Sequence, residues 1–303
     1  VLGEEGSEYP AYRIVSVARS DLPPPDDDTY TTVESYVTLA YSTISLLDAA
    51  ITVRENGVIK GDVVGDVICG GNLDIKASVG TTEKPTHVLC AGTVHIFPEG
   101  WVTGDVTYGV ALVNNGILDG HAYYSPGITI PEVKYWPDAG DVSERYGGEV
   151  NKSDPYLPEI NVASTSSIGP RYIDGPLDIY KKKSGGTGDT LTLTGTVYVT
   201  GPLSIGKTGE DFKLNLNGQA IFCEYLDTEQ KHPAIEITDR CTIKGPGCII
   251  AVGNIDFWPK MATGGEEDCV ILMSINGTTD LHPQGDFYGA VLGDVKMDVF
   301  PAG

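Results

Sequence analysis

Carboxylates and lysines are the side chains in this sequence that could perform acid–base chemistry. Asp62 and Asp105 occupy the same place in two matching segments, Gly57–Val63 and Gly100–Val106, and Lys60 precedes the first of them. Clustered acids beside a lysine would suit an enzyme that cleaves acidic polysaccharides. The chain has 42 Asp and Glu residues, so such coincidences are expected, and a catalytic pair is recognised only from its separation. We therefore predict a non-enzymatic protein, with a polysaccharide lyase or hydrolase as the alternative.

Metal-ligating residues form no recognisable motif. The 5 histidines show neither HxH nor HExxH spacing, and neither an EF-hand loop nor a nonapeptide calcium repeat occurs. Asp62 with Asp66, and Glu266 with Glu267 and Asp268, would offer oxygen ligands to calcium. Solvated surface acids explain the same residues more simply. The sequence predicts no metal site and no cofactor, and calcium is the one cation that its carboxylates would suit.

The sequence also argues against whole classes of ligand. GxSxG, GxGxxG and P-loop motifs do not occur. The formal net charge is -22 at pH 7, a field that repels phosphate backbones and anionic membranes. No stretch reaches the ~18 apolar residues of a membrane span. We expect no nucleic-acid binding and no membrane span in this chain.

Cysteines recur at a fixed spacing. Cys69 and Cys90 are 21 residues apart, as are Cys248 and Cys269, and no pair has the CxxC spacing of a zinc site. These four residues are candidate disulfide partners. Buried free thiols are the competing interpretation.

The same spacing appears in the strand-forming segments. Short apolar runs broken by Gly begin at Ile51, and Gly71–Ile75 (GNLDI) recurs 21 residues later as Gly92–Ile96 (GTVHI). A period near 21 residues is the length of one coil of a β-solenoid. The chain has 38 Gly and 19 Pro with 41% hydrophobic residues, which fits many short strands joined by tight turns. We predict an all-β parallel β-helix, with right-handed winding favoured over left-handed.

The register also predicts the core. Stacked coils place residues one period apart on top of each other, so one set of apolar residues should form inward ladders. This set contains Val63, Val67, Leu73, Ile75, Val94 and Ile96. Antiparallel hairpins with Asn-Gly turns are the competing structure, but hairpins need no such period.

The N-terminal region differs in texture. Residues 1–28 suggest an extended arm, in which Tyr12, Ile14, Val15 and Val17 form a candidate assembly strand that would pair with another subunit or with its own domain. Thr31-x-x-Glu34 is a capping-box pattern followed by apolar residues at helical spacing. We predict a helix over 29–50 that caps the open end of the solenoid.

In the middle of the chain, a proline-rich stretch interrupts the pattern of short strand-forming segments. We predict a first β-helix section over 51–125, an irregular insert or linker over 126–190, and a second β-helix section over 191–303. The insert contains Tyr135 and Trp136, a candidate surface for a glycan or a protein partner. The alternative is that its aromatic residues clamp the insert to the solenoid.

Several glycine-containing segments of the chain resemble a known group of proteins. The chain resembles bacterial surface β-helix proteins of the type associated with pilus assembly. The resemblance is carried by the segments that end in Gly-Asp-Val, such as Gly57–Val63 and Gly100–Val106, and by Gly201–Ile205, Gly245–Val252 and Gly285–Val295. More loosely, they are similar to bactofilins, which are polymer-forming β-helical scaffolds. The resemblance covers roughly 51–125 and 190–300. It implies a non-enzymatic role in a surface structure or a filament.

These observations converge on one predicted function. We expect a structural or adhesive subunit of an extracellular filament, pilus or cell-surface appendage that assembles with copies of itself. A polysaccharide-degrading β-helix enzyme and a carbohydrate-binding adhesin are the alternatives. The predicted partners are other copies of the chain and a glycan or surface ligand, outside the cell.

Overall fold

The computed structural model describes residues 11–20, 29–38, 49–130, 133, 136–182, 189–229, 231–261 and 268–301. The chain divides into two compact units, Val1–Ser45 and Leu46–Gly303. Strands are numbered in chain order through both units.

The first unit contains a β-hairpin. Strand β1 (Ala11–Ser20) pairs antiparallel with β2 (Thr29–Thr38), from Ala11 opposite Thr38 to Ser20 opposite Thr29. The segment around Tyr12 is a strand, and it pairs with a strand of its own chain. Its predicted role in assembly stays a prediction.

The capping helix predicted over 29–50 is wrong for Thr29–Thr38, which is a strand. This segment is rich in Thr, Val and Tyr, which favour extended backbone when a partner strand is available. Here β1 supplies that partner, so the capping-box pattern does not decide the structure. Residues 39–48 lie outside the described part of the chain.

The second unit is a parallel β-helix, as predicted. Two of its walls are 11-stranded sheets. We call one the covered sheet, because a helix described below packs on its outer face, and the other the open sheet. The covered sheet contains, from one end to the other, β14 (Ala122–Tyr124), β11 (Val106–Tyr108), β8 (Val88–Cys90), β5 (Val67–Cys69), β3 (Ile51–Val53), β31 (Gly289–Gly293), β29 (Val270–Ser274), β26 (Gly247–Ala251), β23 (Ala220–Cys223), β20 (Val197–Val199) and β17 (Arg171–Ile173).

The open sheet runs beside it in the same order of coils. It contains β12 (Ala111–Asn114), β9 (Thr93–Ile96), β6 (Leu73–Ile75), β4 (Asn56–Ile59), β32 (Lys296–Val299), β30 (Thr278–Leu281), β27 (Ile255–Phe257), β24 (Ile235–Ile237), β21 (Leu203–Gly209), β18 (Leu177–Lys181) and β15 (Glu159–Asn161).

The third wall is divided into two short parallel sheets. One contains β13 (Ile117–Leu118), β10 (Trp101–Val102) and β7 (Ser78–Val79), and the other contains β16 (Ser167–Ile168), β19 (Thr190–Leu193), β22 (Phe212–Asn215), β25 (Cys241–Lys244) and β28 (Lys260–Met261).

The coils are not stacked in sequence order. The chain enters the solenoid in the middle, at β3, and coils outward to one end at β14. It then resumes at the opposite end, at β15, and coils back until β31 and β32 pair with β3 and β4. The first and last coils therefore meet at a seam inside the stack.

The predicted register is correct locally but not constant along the chain. Val67 pairs with Val88, 21 residues later, and the six predicted inward residues are all buried. However, Val88 pairs with Val106 after only 18 residues, and Cys248 pairs with Ile271, not with Cys269. Corner loops vary in length while the strands keep their stacking, so no single period describes the whole chain.

The insert predicted over 126–190 is shorter than expected. Helix α1 (Ala139–Gly147) begins after Asp138, whose side chain accepts a hydrogen bond from Gly140 N at 2.8 Å and caps the helix. From Glu159 onward the chain again forms solenoid strands. The helix packs on outward-facing apolar residues of the covered sheet, where the Tyr146 ring stacks on Phe222 at 5.4 Å.

Candidate functional site on the open sheet

The outer face of the open sheet carries a row of stacked carboxylates. Glu236, Asp256, Asp280 and Asp298 occupy consecutive in-register positions on β24, β27, β30 and β32. Neighbouring strands of a sheet lie about 4.8 Å apart, so these four residues, here called the acidic row, form a continuous line across four coils.

Alternation along each strand produces this row. In Ile235–Ile237 and Ile255–Phe257, the two flanking residues are buried in the core and the acid between them points outward. β30 repeats the pattern around Asp280, and Asp298 occupies the equivalent position on β32, where it is itself buried. The stacking of the coils then brings the four acids together.

Lysines compensate the carboxylates at the two ends of the acidic row. Lys207 Nζ lies 2.8 Å from Glu236 Oε2, and Lys296 Nζ lies 2.9 Å from Asp298 Oδ2. Lys60 Nζ is 3.7 Å from the same Asp298 oxygen. Asp298 is only 9% exposed, and its Oδ1 atom has no hydrogen-bond partner among the described residues.

The two carboxylates in the middle of the row differ from those at its ends. Within the described ranges, neither Asp256 nor Asp280 has a hydrogen-bond or ion-pair partner for its carboxylate. Burial, followed by the charges of Asp280 and Glu236, raises the pKa of Asp256 to about 6. Burial and then the charge of Asp298 also raise the pKa of Asp280.

A second row of aromatic rings lies beside the acidic row. Trp258, His282 and Phe300 each follow an acid of the row by two residues, and we call them the aromatic row. The Trp258 and His282 ring centroids are 4.1 Å apart, and those of His282 and Phe300 are 3.4 Å apart. Trp258 is 50% exposed, so a large flat ring faces solvent beside the acidic row.

Lys60 occupies the space between the two rows at one end. Its Nζ atom lies 4.1 Å from the centroid of the Phe300 ring, in addition to its contact with Asp298. An ammonium group therefore sits between a carboxylate of the acidic row and a ring of the aromatic row. Charge attraction and a cation–π contact both stabilise this position.

The sequence-predicted aromatic surface is not confirmed at Trp136. Its indole Nε1 donates a hydrogen bond to Ile275 O at 2.8 Å, and the side chain packs on the outer face of the covered sheet. The clamping role proposed as the alternative is what this residue performs. Tyr135 lies outside the described residues.

The predicted disulfides are not present. Cys69, Cys90, Cys248 and Cys269 are all free thiols. Cys69 and Cys90 are stacked in register as expected, on neighbouring strands whose usual spacing of about 4.8 Å is wider than the ~3.8 Å between the Cβ atoms of a disulfide. Cys90 Sγ instead donates to Gly71 O at 3.0 Å, so the buried thiol closes a corner of the coil.

The acids that the sequence singled out lie elsewhere. Asp62 does not stack with Asp105, because Val63 pairs with Val79 and brings Asp62 to Ser78, whose N–H donates to Asp62 Oδ1 at 3.0 Å. Asp105 lies at a different corner of the coil, where its Oδ1 accepts from His121 N at 2.8 Å.

The candidate calcium ligands also have other roles or lie outside the described chain. Asp66 Oδ1 accepts a hydrogen bond from His87 N at 2.8 Å. Glu266 and Glu267 are outside the described residues. Across the ranges that the structure describes, no three His, Cys, Asp or Glu side chains are grouped so as to hold a metal ion.

Sequence reasoning missed the acidic and aromatic rows, although a signal for them exists. Asp256-x-Trp258, Asp280-x-His282 and Asp298-x-Phe300 repeat the order acid, inward apolar residue, aromatic. These triplets are 24 and 18 residues apart. Because neither spacing is 21 residues, a constant period of 21 does not align these triplets with each other.

Comparisons with known proteins add little to this geometry. No family model and no curated protein matches the chain. A solved structure described as an ice binding protein from an Antarctic biological consortium is 14% identical, covers 88% of this chain and 92% of its own, and has a TM-score of 0.20. The parallel β-helix fold is established by the strand pairing described above. Over the described residues, no helix is long and apolar enough to cross a membrane.

Proposed function

We propose that this chain is a non-enzymatic structural or adhesive subunit of an extracellular filament, pilus or surface appendage, and that it associates with another copy through one end of its solenoid. The observation that carries the proposal is the apolar, open terminal coil at residues 110–124. We call this segment the terminal coil.

Each strand of the terminal coil is the last strand of its wall. β12, β13 and β14 end the open sheet, one short sheet and the covered sheet, with no further strand beside them in the described chain. Their outer edges present backbone groups that another strand can pair with. Native proteins usually cover or charge such edges.

The terminal coil exposes several large apolar side chains. Charged side chains at these edges would instead prevent pairing with other chains. Five of the large hydrophobic residues that are most exposed in the described chain belong to it, and each is between 43% and 63% exposed: Val110, Val113, Ile117, Tyr123 and Tyr124. The inward-facing Leu112 and Leu118 of the terminal coil are only partly buried, whereas the inward-facing residues at the opposite end, Ile160, Ile168 and Ile173, are buried. The two ends therefore differ, and the terminal coil is the one suited to a partner.

A second copy is the partner that fits this surface best. The terminal coil has the unpaired edges of three walls side by side. Within the solenoid, each coil pairs with the next through the same three edges. Another copy supplies a coil of the same cross-section, which would continue all three walls and bury the exposed apolar residues. An extracellular location is part of the proposal, and the acidic composition and the family resemblance support it.

Measuring the association state of the full chain tests this proposal. We expect sedimentation velocity to show larger species as concentration rises, and electron microscopy to show solenoids joined end to end. Ile117→Lys should shift the protein to monomers, because it places a charge in the contact. Leu226→Lys is the matched control, since Leu226 is 42% exposed and lies outside the terminal coil. A wild-type chain that stays monomeric at every concentration and salt would overturn self-assembly.

A polysaccharide-degrading enzyme is the second candidate, and the acidic row favours it. Asp256, with a pKa raised to about 6, is suited to donate a proton near neutral pH. Its in-register neighbour Asp280 lies about one strand spacing away, close to the ~5 Å separation of carboxyls in retaining glycosidases. Release of reducing ends from a panel of polysaccharides, abolished by Asp256→Asn, would establish this function in place of the first.

A further inference from the structure

The chain that follows the terminal coil leads away from it. After β14, Ile130 packs with Ile68 on the outer face of the covered sheet. Further along, the Tyr146 ring of helix α1 stacks on Phe222 of β23, nearer the opposite end of the solenoid. The segment that leaves one end of the solenoid therefore travels along the covered sheet towards the other end.

The same stretch of chain occupies a strand edge at the opposite end. β17 is the last strand of the covered sheet there, and its Arg171 N donates to Thr196 O inside the sheet. Backbone groups alternate in direction along a strand, so Tyr172 N–H points to the free edge, where it donates to Asp154 Oδ2 at 3.3 Å. Arg171 Nη2 also donates to Pro155 O at 2.7 Å. The chain's own residues therefore fill this edge.

A turn occupies the neighbouring edge at the same end. Asn161 is the last residue of β15, which ends the open sheet. Its carbonyl oxygen accepts hydrogen bonds from Ser164 N and Thr165 N, both at 3.0 Å, and its Oδ1 accepts one from Ala163 N at 3.1 Å. A strand from another molecule would have to displace these hydrogen bonds before it could pair with β15.

Among the described residues, the β14 edge of the terminal coil has no such contacts. His121 O and Ser125 N form hydrogen bonds with the coil below. The alternation along β14 then directs the backbone groups of Ala122 and Tyr124 to the outer edge, where the described chain offers them no partner. This end of the covered sheet is open, whereas the other end is filled.

The inward-facing side chains of the terminal coil form the end of the apolar core. Tyr124 lies in register above Tyr108, which lies in register above the buried Cys90. The Tyr108 and Tyr124 ring centroids are 5.6 Å apart, yet Tyr124 is 60% exposed. Leu112 and Leu118 occupy the inward positions of the other two walls and are only partly buried. An exposed apolar surface of this kind is typical of a contact with another molecule.

Little charge lies on this end of the solenoid. Residues 110–124 contain one acid, Asp119, and no lysine or arginine, although the formal net charge of the chain is -22. Asp119 Oδ2 accepts a hydrogen bond from Trp101 Nε1 at 2.7 Å, so the carboxylate is held against the coil below. Two copies with this net charge repel each other, and their terminal coils can approach with few carboxylates between them.

We propose that two copies associate terminal coil against terminal coil, related by a two-fold axis that is perpendicular to the solenoid. This inference rests on the proposed self-association and names the surface that the partner contributes. Strand edges at the opposite end are filled, so the open end of one copy finds its match in the open end of another. Such a contact is self-complementary and closes at two copies. Strands pair in parallel inside the solenoid but would pair antiparallel across this contact.

Oppositely charged variants at one position test the two-fold contact. Tyr124→Lys and Tyr124→Asp should each weaken dimer formation by the full chain about tenfold or more, because each places like charges in the contact. An equimolar mixture of the two variants should recover dimers, since the two-fold axis brings position 124 of both copies close together. Sedimentation velocity measures the dissociation constants, and circular dichroism should show that both variants keep the wild-type fold.

Ser167→Lys is the matched control, because Ser167 is exposed on β16, the last strand of its sheet at the opposite end. It should leave the dissociation constant unchanged. A mixture that dimerises as weakly as the separate variants, or an equal weakening by Ser167→Lys, would overturn the two-fold contact and leave self-association in place. A wild-type chain that stays monomeric at every concentration would instead overturn the proposed function.

Discussion

Ile51, in the first strand of the solenoid, lies in register with Val291, in the last strand but one of the chain. On its other side, Ile51 pairs with Val67 in the next coil. The beginning and the end of the solenoid sequence are therefore neighbours at the seam, and both are buried there. Contacts between such distant residues slow folding, because a long loop must close before they form.

The seam should be sensitive to loss of apolar volume. Ile51→Ala should lower the free energy of unfolding by about 2–5 kcal/mol, because Ile51 is only 3% exposed and packs on both neighbouring coils. Urea denaturation followed by circular dichroism measures this change. Leu226→Ala is the control and should change stability by no more than about 0.5 kcal/mol. A similar loss in both variants would argue against the seam.

Close approach of the backbone at the corners predicts a second effect on stability. A Cβ atom on Gly92 would overlap the carbonyl oxygen of Gly71 on the coil below. Gly92→Ala should therefore destabilise the solenoid by about 1–3 kcal/mol, as overpacking does. Gly148→Ala is the matched control, because Gly148 has helical φ and ordinary room for a methyl group. Thermal unfolding that ranks the two variants the other way would contradict the stacking of these corners.

Thiol reactivity provides the third prediction. Without reductant, the native protein should show rapid reaction of the exposed Cys269 with a disulfide reagent and slower reaction of Cys248. The buried thiols should stay unreactive, since burial raises the pKa of Cys223 to about 12. Unfolding should release all six thiols, and Cys269→Ser should remove the rapid phase. Fewer than six thiols in the unfolded, unreduced chain would indicate a disulfide.

The raised pKa of Asp256 predicts a dependence of stability on pH. The folded chain holds this proton up to pH of about 6, whereas an unfolded Asp releases it near pH 3.9. The contribution of Asp256 is therefore present below pH ~3.9 and is lost as pH rises through about 6. Asp256→Asn should stabilise the protein at pH ~7 relative to wild type, on the order of 1 kcal/mol after solvent screening.

Denaturation of both proteins at acidic and neutral pH checks this difference. Asp239→Asn should show no comparable change, because Asp239 is an exposed acid outside the acidic row. Carbon-13 NMR of the carboxyl groups follows the titration of Asp256 directly. A midpoint near the ordinary value for Asp would contradict the stacked, half-buried row.

The sequence predicted local strand structure well where alternation and burial agree. Leu73 and Val94 were expected to face inward one above the other, and they pair in register with no exposed surface. The hairpin shows the opposite case. Thr31-x-x-Glu34 satisfies a helix-start pattern, yet the segment is a strand because β1 offers it hydrogen-bond partners. A cap pattern describes only local preference, and tertiary pairing decides between alternatives of similar free energy.

The sequence could not predict which residues of the candidate sites lie next to each other in space. The acids at Asp256 and Asp280 are visible in the sequence, but their alignment depends on the length of the corner loop between them, which differs from coil to coil. The same is true of the cysteines. Cys248 and Cys269 share the spacing of Cys69 and Cys90, yet only the latter pair is stacked.

By itself, the sequence determined that the chain forms a parallel solenoid with an apolar interior, because alternating apolar residues and glycine corners allow few other ways to bury the core. Only the tertiary structure decided that the chain enters this solenoid in the middle and closes at a seam between Ile51 and Val291. It also decided that four acids and three rings line up in adjacent rows on the outer side of the open sheet. The physical reason is that burial acts on each strand separately, whereas the alignment of coils depends on corner loops whose lengths no local preference specifies.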